Sequence, residues 1–452
     1  MRLRKTITTI VATAILLAGW QLFAVIANQP ELIPSLPRLV RTLCEWLVSG
    51  SFYQSVGATI LRGVLGMSIS FVCAIGMAGL FARFEWVYEL FRPLLAIMRS
   101  IPVISFILLA LIFLNPESIP LMIAFLTMFP LLTENLTRGI LDLRPGLSIM
   151  ARQFHIRRSN VLFQIIYPQL KPFLYSGLAS AAGFGWRAII MGEVLSQCAF
   201  GIGSEMKRAQ NFIAVPELLA WTIVAVFISF FFDKGISKVA DITPKISFAN
   251  EDQTIPTPTL SVLDTKDISY QYGIQHFSHS FQKGIIYGIS APSGKGKTTL
   301  LNLIGGILLP TEGEIHPTRH FGIATIFQQP QLLPHLTAEE NIILPLSSFL
   351  TEEKARRNAQ KHLQEMEMEP FGNRYPKELS YGQQQRIAIA RALAYPSPLL
   401  LMDEPFKGLD EALSHRIIER IREKQMKEER IILFTSHNPD EIRLLADEVI
   451  YL

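Results

Sequence analysis

Six long apolar runs lie in the chain before about Val239, and they constrain the fold more than any other feature of the sequence. They cover residues 7–27, 64–81, about 94–114, 118–133, about 173–195 and about 215–232. The first run is uncharged and long enough to cross roughly 30 Å of hydrocarbon. Arg2, Arg4 and Lys5 precede it, as in a signal peptide, but the run is too long for one. The pattern predicts an N-terminal all-α polytopic domain with about six transmembrane helices.

Two of these runs contain residues that interrupt an apolar helix. Arg99 and Pro102 lie in the third run, and Arg187 and Glu193 lie in the fifth. In lipid, every backbone polar group that a break exposes must find a partner in neighbouring protein. We therefore expect these segments to lie inside a helical bundle.

The composition is that of a protein with a large membrane part. Hydrophobic residues make up 49% of the chain and charged residues only 18%, against a usual charged share of about 25%. A net charge of +4 is too balanced to indicate a nucleic-acid partner. Lys and Arg are concentrated in the loops that lie on the same side of the membrane as the N-terminus. The positive-inside rule therefore places the N-terminus in the cytoplasm, and six crossings return the chain to the same side.

The character of the sequence changes after the last apolar run. Residues 241–258 alternate proline with threonine and charged residues, which is typical of a linker because proline fixes φ and prevents a continuous helix. We predict a membrane domain over residues 1–240, a linker over 241–258 and a soluble domain over 259–452.

A phosphate-binding pattern opens the soluble domain. An apolar run at 284–289 is followed by APSGKGKTTL, a variant of the Gly-x-x-x-x-Gly-Lys-Ser/Thr loop. Gly294 and Gly296 allow the backbone to curl so that N–H groups face phosphate oxygens. Lys297 can then reach the β- and γ-phosphates, and Thr298 can offer its hydroxyl to Mg²⁺. Ala291 replaces the first glycine, so this position should not need a positive φ.

Three further apolar runs each lead to polar side chains. Residues 323–327 lead to Gln328, 399–402 to Asp403 and Glu404, and 431–434 through Thr435 to His437. Continuous apolar runs of this length indicate strands buried on both faces of a parallel sheet, and ligands bind at the carboxyl ends of such strands. We expect the side chains of Gln328, Asp403, Glu404, His437 and Lys297 to meet at one edge of the sheet, as phosphoryl transfer requires.

Together these motifs resemble those of ATP-binding-cassette (ABC) transporters. LSYGQQQRIAIARAL from Leu379 resembles the signature segment of that family, and LLLMDEPFKGLD resembles its Walker B motif and D-loop, which ends at Asp410. IFQQPQLLPHLTAEENI resembles the Gln loop, and TSHNPDE the His switch. The resemblance implies an α/β P-loop ABC ATPase domain with a helical subdomain, using ATP and Mg²⁺.

The resemblance also implies a role for each matching residue. Glu404 would polarise the attacking water, His437 would contact the γ-phosphate, and Gln328 would link metal and water to the membrane part. Mg²⁺ would be held by Thr298, Gln328 and Asp403. The nucleotide would be bound by Tyr272, with Tyr270 as the fallback for stacking on adenine, and by Ser293, Gly294, Lys295, Gly296, Lys297, Thr298 and Thr299. Contacts to ATP on a partner cassette would come from Ser380, Gly382 and Gln383, and Tyr381 replaces a glycine that is usual in the family.

The membrane half resembles permeases of binding-protein-dependent importers, particularly the nitrate, sulfonate, taurine and pyrimidine-precursor type. The segment from Ile149 to Pro172 matches their cytoplasmic coupling loop, although Ala151 and its neighbours depart from the usual Glu-Ala-Ala and His155 falls on the usual glycine. Glu193 is a candidate for lining the solute pathway. A structural ion pair with another span is the equally weighted alternative.

The expected function is ATP-driven import of a small solute by a fused permease and ATPase in a bacterial inner membrane. The chain would work in the lipid as a dimer, with a second copy or a paralogous half-transporter, and with an extracytoplasmic solute-binding protein. The solute would be a nitrate-, sulfonate- or taurine-like anion, or a pyrimidine or thiamine precursor. The alternatives are an ABC export half-transporter, which the short loops at 82–93 and 137–172 disfavour, and a membrane-tethered signalling or remodelling ATPase.

Overall fold

The chain forms two compact units in the computed structural model, which describes residues 2–240, 244–253, 260–271, 273–292, 294–317 and 322–452. The first unit comprises Met1–Leu143 and Gln169–Thr243, and the second comprises Arg144–Pro168 and Pro244–Leu452. The chain therefore enters the second unit once and returns to the first before residue 240, which a single predicted boundary at residue 240 does not describe. Residues 144–168, which we call the docking segment, belong to the same unit as the C-terminal half.

The first unit is built from helices. They are α1 (Arg2–Ala27), α2 (Leu36–Trp46), α3 (Gly50–Arg83), α4 (Glu85–Ser100), α5 (Val103–Phe113) and α6 (Ile119–Leu141), followed after the docking segment by α9 (Tyr167–Ser196), α10 (Ile202–Asn211) and α11 (Val215–Ala240). The docking segment itself contains α7 (Pro145–Gln153), α8 (Arg158–Asn160) and a π-helical turn, Val161–Ile166, that leads into α9. Each predicted apolar run lies on one of these helices, or on the pair α4 and α5.

Within the described residues, four helices are long and apolar enough to cross a membrane. They are α3, α6, α11 and the continuous helix Arg158–Ser196, and the bent pair α4 and α5 makes a fifth if it counts as one span. Helix α1 has 26 residues, about 39 Å at 1.5 Å per residue, of which Val11–Ala27 forms a shorter apolar helix. The first unit is therefore a multi-pass membrane domain. By length and apolar composition it has four or five spans, and α1 is a further apolar helix.

One predicted break is present and the other is absent. The chain turns by 94° between α4 and α5, where Ile101 and Pro102 separate the two helices. By contrast, α9 runs without interruption through Arg187 and Glu193. A charged side chain leaves the backbone hydrogen bonds of a helix intact, whereas proline removes a donor, so only the prediction at Pro102 was right.

Small residues allow the helices of the first unit to pack closely. A Cβ atom on Gly66 of α3 would lie 2.6 Å from the Cβ of Ala124 on α6, and one on Gly139 of α6 would lie 2.9 Å from Phe173 on α9. Ala74, Ala78 and Met128 are buried in the same cluster. Close approach of backbones through glycine and alanine is the usual basis of helix association in membranes.

The described residues of the second unit form two sheets. The strands β1 (Val262–Tyr270), β2 (Ile274–Gln282) and β4 (Glu312–His316) form an antiparallel sheet in the order β2-β1-β4. A parallel sheet in the order β5-β6-β7-β3-β8 contains β3 (Ile286–Ser290), β5 (Ala324–Ile326), β6 (Leu399–Asp403), β7 (Ile431–Thr435) and β8 (Glu448–Tyr451). All four runs predicted as buried strands are strands of this parallel sheet.

Helices complete the second unit and share its core with the docking segment. They are α12 (Lys297–Ile304), α13 (Ala338–Leu346), α14 (Glu352–Glu365), α15 (Tyr381–Ala394), α16 (Glu411–Glu428) and α17 (Pro439–Leu445). We call α13, α14 and α15 the helical subdomain. Met150, Ala151 and Phe154 of the docking segment are buried in one cluster with Ile326 of β5 and Ile343 of α13, so the docking segment is an integral part of this unit.

Candidate functional site

The phosphate loop lies between β3 and α12, as predicted. Gly294 and Gly296 have φ values of 81° and 88°, which glycine adopts without the steric cost that a Cβ imposes. A Cβ on Gly296 would also lie 2.7 Å from the carbonyl oxygen of Gly273. Ala291 is not among the described residues with positive φ, which explains why alanine is tolerated there.

The lysine of the loop points back onto the loop itself. The Lys297 side chain is buried, and its Nζ donates to the carbonyl oxygens of Ala291 at 2.6 Å and Pro292 at 3.4 Å. Lys295 and Thr298 are exposed and Thr299 is half-buried, all at the N-terminus of α12. Backbone N–H groups without helical partners and a positively polarised helix end favour an anion at this position.

An oxygen-rich group connects α12 with the ends of β6 and β7. The buried carboxylate of Asp403 accepts a hydrogen bond from Thr298 Oγ1 at 2.9 Å and one from Thr435 Oγ1 at 2.8 Å. Burial raises the pKa of Asp403, and the hydrogen bonds from Thr435 and Thr298 oppose that change. Thr298, Asp403 and Gln328 line one cleft of about 260 Å³. Hydroxyl, carboxylate and amide oxygens are ligands that suit Mg²⁺ together with phosphate and water, so these residues fit the predicted ion.

The predicted base and sensor are in contact. His437 Nε2 lies 3.0 Å from Glu404 Oε1, and Lys407 Nζ lies 3.3 Å from Glu404 Oε2. Glu404 has a φ of 48°, a left-handed conformation that is strained for a residue other than glycine. Its N–H donates to Thr435 Oγ1 at 3.1 Å, so the strained backbone is held by the same hydroxyl that binds Asp403.

The signature residues lie at the start of α15, outside this cleft. Ser380 caps the helix, with its Oγ accepting from the Gln383 N–H and its own N–H donating to Gln383 Oε1. A Cβ on Gly382 would lie 2.5 Å from the carbonyl oxygen of Gly408. Asp410 caps α16 through the Leu413 N–H. Ser380, Gly382 and Gln383 are not among the described residues that line the cleft of their own chain.

Tyr381, which replaces the usual glycine, links two motifs. Its hydroxyl donates to the carbonyl oxygen of Gln328 at 2.7 Å, and its Cδ1 would lie 2.7 Å from a Cβ on Gly408. Gly408 has a φ of 79°. The tyrosine therefore connects the signature helix to the Gln loop and packs on the D-loop.

Two predicted nucleotide contacts, Tyr272 and Ser293, lie outside the described residues. The fallback for adenine stacking, Tyr270, is the last residue of β1 and packs against the core of the second unit. That environment is the one expected for an ordinary strand tyrosine.

Thr435 and Arg391 are candidate site residues that sequence reasoning missed. Arg391 is fully buried on α15 and donates to the carbonyl oxygens of Gln331 at 2.8 Å and Pro330 at 2.9 Å, both in the Gln loop. Burial lowers the pKa of Arg391 to about 10, so it remains charged at neutral pH. An arginine within the apolar stretch IAIARALA was the available signal, since buried arginine is rare unless paired.

The docking segment reaches the nucleotide-binding elements directly. Gln153 Nε2 donates to the carbonyl oxygen of Gly305, just after α12, at 2.8 Å, and the N–H of Ile323, just before β5, donates to the carbonyl oxygen of Gln153 at 2.8 Å. Gly146 and Ile149 line the same cleft as Asp403. Of the predicted coupling residues, Ala151 is buried, and His155 has a φ of 45°. A left-handed φ explains the family's preference for glycine at this position. Partial burial lowers the pKa of His155.

In the first unit, Glu193 forms an ion pair with another helix. Its fully buried carboxylate accepts from Arg62 Nη1 at 2.7 Å, from Thr59 Oγ1 at 2.9 Å and from the Gly203 N–H at 2.9 Å. The second alternative for Glu193, a structural pair, is therefore present. Its role in a solute pathway remains a prediction.

A larger cleft than the one lined by Asp403 lies elsewhere in the second unit. About 470 Å³ in volume, it is lined mainly by charged side chains of α14 and α16 and contains none of the predicted site residues. Because the chemistry requires the phosphate loop, the smaller cleft is the functional candidate.

A phosphate loop followed by oxygen ligands, a carboxylate and a histidine at the edge of a parallel sheet defines a P-loop ATPase domain. The comparisons agree, since residues 274–407 match the family described as ABC transporter. Residues 68–233 match the binding-protein-dependent transport system inner membrane component. An uncharacterized ABC transporter ATP-binding protein of Methanocaldococcus jannaschii is 34% identical over 201 residues, which are 40% of this chain and 85% of that protein. The chain belongs to the ABC transporter family, and joins an importer-type permease domain to an ATP-binding ATPase domain.

Other relatives match through the ATPase half. An Fe(3+) ions import ATP-binding protein of Rhizobium etli is 35% identical over 189 residues, which are 40% of this chain and 54% of that protein. A glucose import ATP-binding protein of Saccharolobus solfataricus is 35% identical over 185 residues, which are 38% of this chain and 52% of that protein. The chain thus spans about half the length of these two relatives.

Proposed function

We propose that this chain hydrolyses ATP to drive import of a small solute across the bacterial cytoplasmic membrane. The observation that carries the proposal is the site of the second unit. Thr298 and Asp403 line one cleft with docking-segment residues, and Glu404, which follows Asp403 in the chain, is in contact with His437. The docking segment lies in the chain between two membrane helices, α6 and α9. Its place at the hydrolytic site is suited to coupling ATP hydrolysis to movement of those helices. The match of the first unit to binding-protein-dependent components favours import over the alternatives.

Each residue of the site has a proposed task in hydrolysis. Lys297 and the backbone of the phosphate loop bind and orient the β- and γ-phosphates. Glu404, held by Thr435 and His437, positions and polarises the attacking water, and His437 contacts the γ-phosphate. Thr298, Gln328 and Asp403 would hold Mg²⁺, which would supply positive charge beside the phosphate oxygens. Tyr272, Ser293, Lys295 and Thr299 complete the proposed nucleotide contacts.

The proposed assembly is a dimer. The signature residues Ser380, Gly382 and Gln383, with Asp410 nearby, lie outside the cleft of their own chain, which supports a shared site completed by a second copy or a paralogous chain. An extracytoplasmic binding protein would deliver the solute. The N-terminus and the ATPase domain would lie in the cytoplasm, where ATP is.

The solute that we propose is a nitrate-, sulfonate- or taurine-like anion, or a pyrimidine or thiamine precursor. The named relatives are ATP-binding proteins for the import of Fe(3+) ions and of glucose, so their similarity bears on the ATPase domain and not on the solute of this chain. Selectivity is expected in the membrane unit and in the binding protein.

The test uses full-length protein in vesicles of phosphatidylethanolamine and phosphatidylglycerol. Glu404→Gln should abolish ATP turnover and keep ATP binding, whereas Glu411→Gln, an exposed carboxylate at the start of α16, should keep both. Wild-type turnover in Glu404→Gln would contradict the assignment. Transport of labelled taurine, nitrate and thiamine precursor, each with a loaded binding protein, tests the solute class. Turnover that no loaded binding protein stimulates would favour the tethered ATPase.

A further inference from the structure

The predicted linker is bound to the second unit over most of its described length. Residues 244–253, which we call the strap, contain neither helix nor strand, yet the side chains of residues 244–248 alternate in burial. Ile246 and Phe248 pack against the core cluster and Ala249 is buried, while Lys245 and Ser247 are exposed. The alternation over residues 244–248 fixes the register of this part of the segment on the core, which a flexible tether would not have.

Asn160 joins the strap to two other parts of the unit. Its side chain is buried, and its Nδ2 donates to the carbonyl oxygen of Ser247 and to Ser347 Oγ, both at 2.8 Å. Its Oδ1 accepts from the Ser247 N–H, also at 2.8 Å. One carboxamide thus connects the docking segment, the strap and the residue after α13.

Further hydrogen bonds extend this junction toward the docking segment. Gln164 Nε2 donates to the carbonyl oxygen of Pro244 at 3.0 Å, and Arg157 Nη1 donates to that of Phe248 at 3.1 Å. The Arg157 N–H also donates to Ser348 Oγ at 3.0 Å. Most acceptors on the strap are main-chain carbonyls, so the contacts depend on the path of the strap more than on its side chains.

Bonds on the other side of the strap reach the helical subdomain. The Ala249 N–H donates to the carbonyl oxygen of Ser347 at 3.0 Å, and the Gln253 N–H donates to that of Phe349 at 2.8 Å. Asp252 accepts from the Thr351 N–H and pairs with Lys354 Nζ at 2.6 Å. The strap therefore lies between the docking segment and the helical subdomain and is bonded to both.

We propose that the strap clamps the docking segment to the helical subdomain, with Asn160 as the positioning residue of the clamp. The proposal rests on the proposed function. ATP-driven displacement of the helical subdomain then moves the docking segment with it, and the segment continues along the chain into α6 on one side and α9 on the other. The strap therefore helps to transmit movement from the helical subdomain to the docking segment, in addition to connecting the two domains.

The first experiment measures hydrogen exchange of the full-length protein in nanodiscs of phosphatidylethanolamine and phosphatidylglycerol. Amides of the peptide 244–253 should exchange at least ~10-fold more slowly than an unstructured peptide, and Asn160→Ala should remove most of that protection. Lys245→Ala, an exposed side chain of the strap, should leave it unchanged. Exchange of the wild-type strap at the unstructured rate would overturn the proposal.

The second experiment tests transmission in the Glu404→Gln background, which retains ATP. Addition of ATP should change the exchange of peptides from α6 and α9. Asn160→Ala should reduce that change at least ~5-fold while the affinity for a fluorescent ATP analogue stays within about 3-fold. Ser347→Ala, which removes one hydroxyl from the junction without a change of shape, should produce a smaller loss in the same direction if Asn160→Ala folds poorly.

The outcomes separate the two proposals. If ATP changes nothing in α6 and α9 of Glu404→Gln itself, ATP-driven movement of the membrane unit fails, and with it the proposed function. If ATP changes their exchange equally with and without the Asn160 and Ser347 substitutions, the proposed function stands and the clamp is wrong.

Discussion

The hydroxyl of Thr435 holds two groups of the proposed catalytic site, which makes its removal a sharp test of the geometry. It donates to Asp403 Oδ1 at 2.8 Å and accepts from the Glu404 N–H at 3.1 Å. Thr435→Val replaces the hydroxyl by a methyl group at a fully buried position, so the shape of the side chain is preserved. The buried carboxylate loses one of its two hydrogen bonds, and the strained backbone at Glu404 loses its support.

The magnitude follows from the charge of the partner. A hydrogen bond to an ionised group contributes about 1.5–3 kcal/mol, which corresponds to a decrease of about 10- to 150-fold in turnover if the bond is needed in the transition state. The effect should appear in kcat for ATP, with KM nearly unchanged, because Thr435 acts through Asp403 and Glu404. Steady-state ATPase rates of the full-length protein measure both constants.

Thr265 provides a matched control. Its buried hydroxyl has the same pattern, donating to the carbonyl oxygen of His279 at 3.1 Å and accepting from the His279 N–H at 2.9 Å, but it lies in the antiparallel sheet. Thr265→Val should cost about 1 kcal/mol of stability and leave kcat unchanged. Turnover of Thr435→Val within twofold of wild type, or an equal loss in Thr265→Val, would refute the reasoning.

Three other predictions concern different parts of the second unit. Lys297→Ala removes a charge-assisted phosphate contact and should weaken binding of a fluorescent ATP analogue about 10- to 100-fold; unchanged affinity would contradict the phosphate loop assignment. Tyr381→Phe removes the bond to the Gln328 carbonyl and should lower turnover about 5-fold through about 1 kcal/mol; full activity would show that the link between signature and Gln loop is dispensable. The hydrogen bonds from Lys354 and from Thr351 hold the pKa of Asp252 below its ordinary value of 3.8, so its stabilisation is present above that pH and is lost as the pH falls through the lowered pKa. Exchange protection of the Thr351 amide should then decrease at acid pH relative to that of Leu333, whose acceptor, Asn341 Oδ1, does not titrate; equal behaviour of the two amides would oppose the role of Asp252.

The site was predictable to the extent that it follows strand ends. Apolar runs that lead to Gln328, Asp403 and His437 indicated buried parallel strands, and such strands bring their carboxyl ends to one edge. The glycines at 294 and 296 have the left-handed backbone that their pattern demands. The conformation of the phosphate loop and the parallel order of the strands both place the predicted site at the carboxyl edge of the sheet.

Side chains that connect distant segments were not predictable in this way. Arg391 and Asn160 each contact residues many positions away, and nothing in their own neighbourhood in the sequence specifies those partners. The pairing of Glu193 with Arg62 is of the same kind. Periodicity shows which residues are buried, whereas the packing of separate elements decides what they meet.

The predicted linker shows both what local sequence can predict and what only tertiary packing decides. Its proline- and threonine-rich composition predicted no continuous helix, and the described residues 244–253 contain none, but composition cannot show that extended backbone is bonded to other parts of the chain. What the sequence indicated by itself was the apolar helices of the membrane domain, four buried strands of the parallel sheet and the motifs that follow them, because these depend on local periodicity and spacing. Only the tertiary structure decided that residues 144–168 and 244–253 belong with the ATPase domain, because hydrogen bonds between remote segments form once the chain has folded.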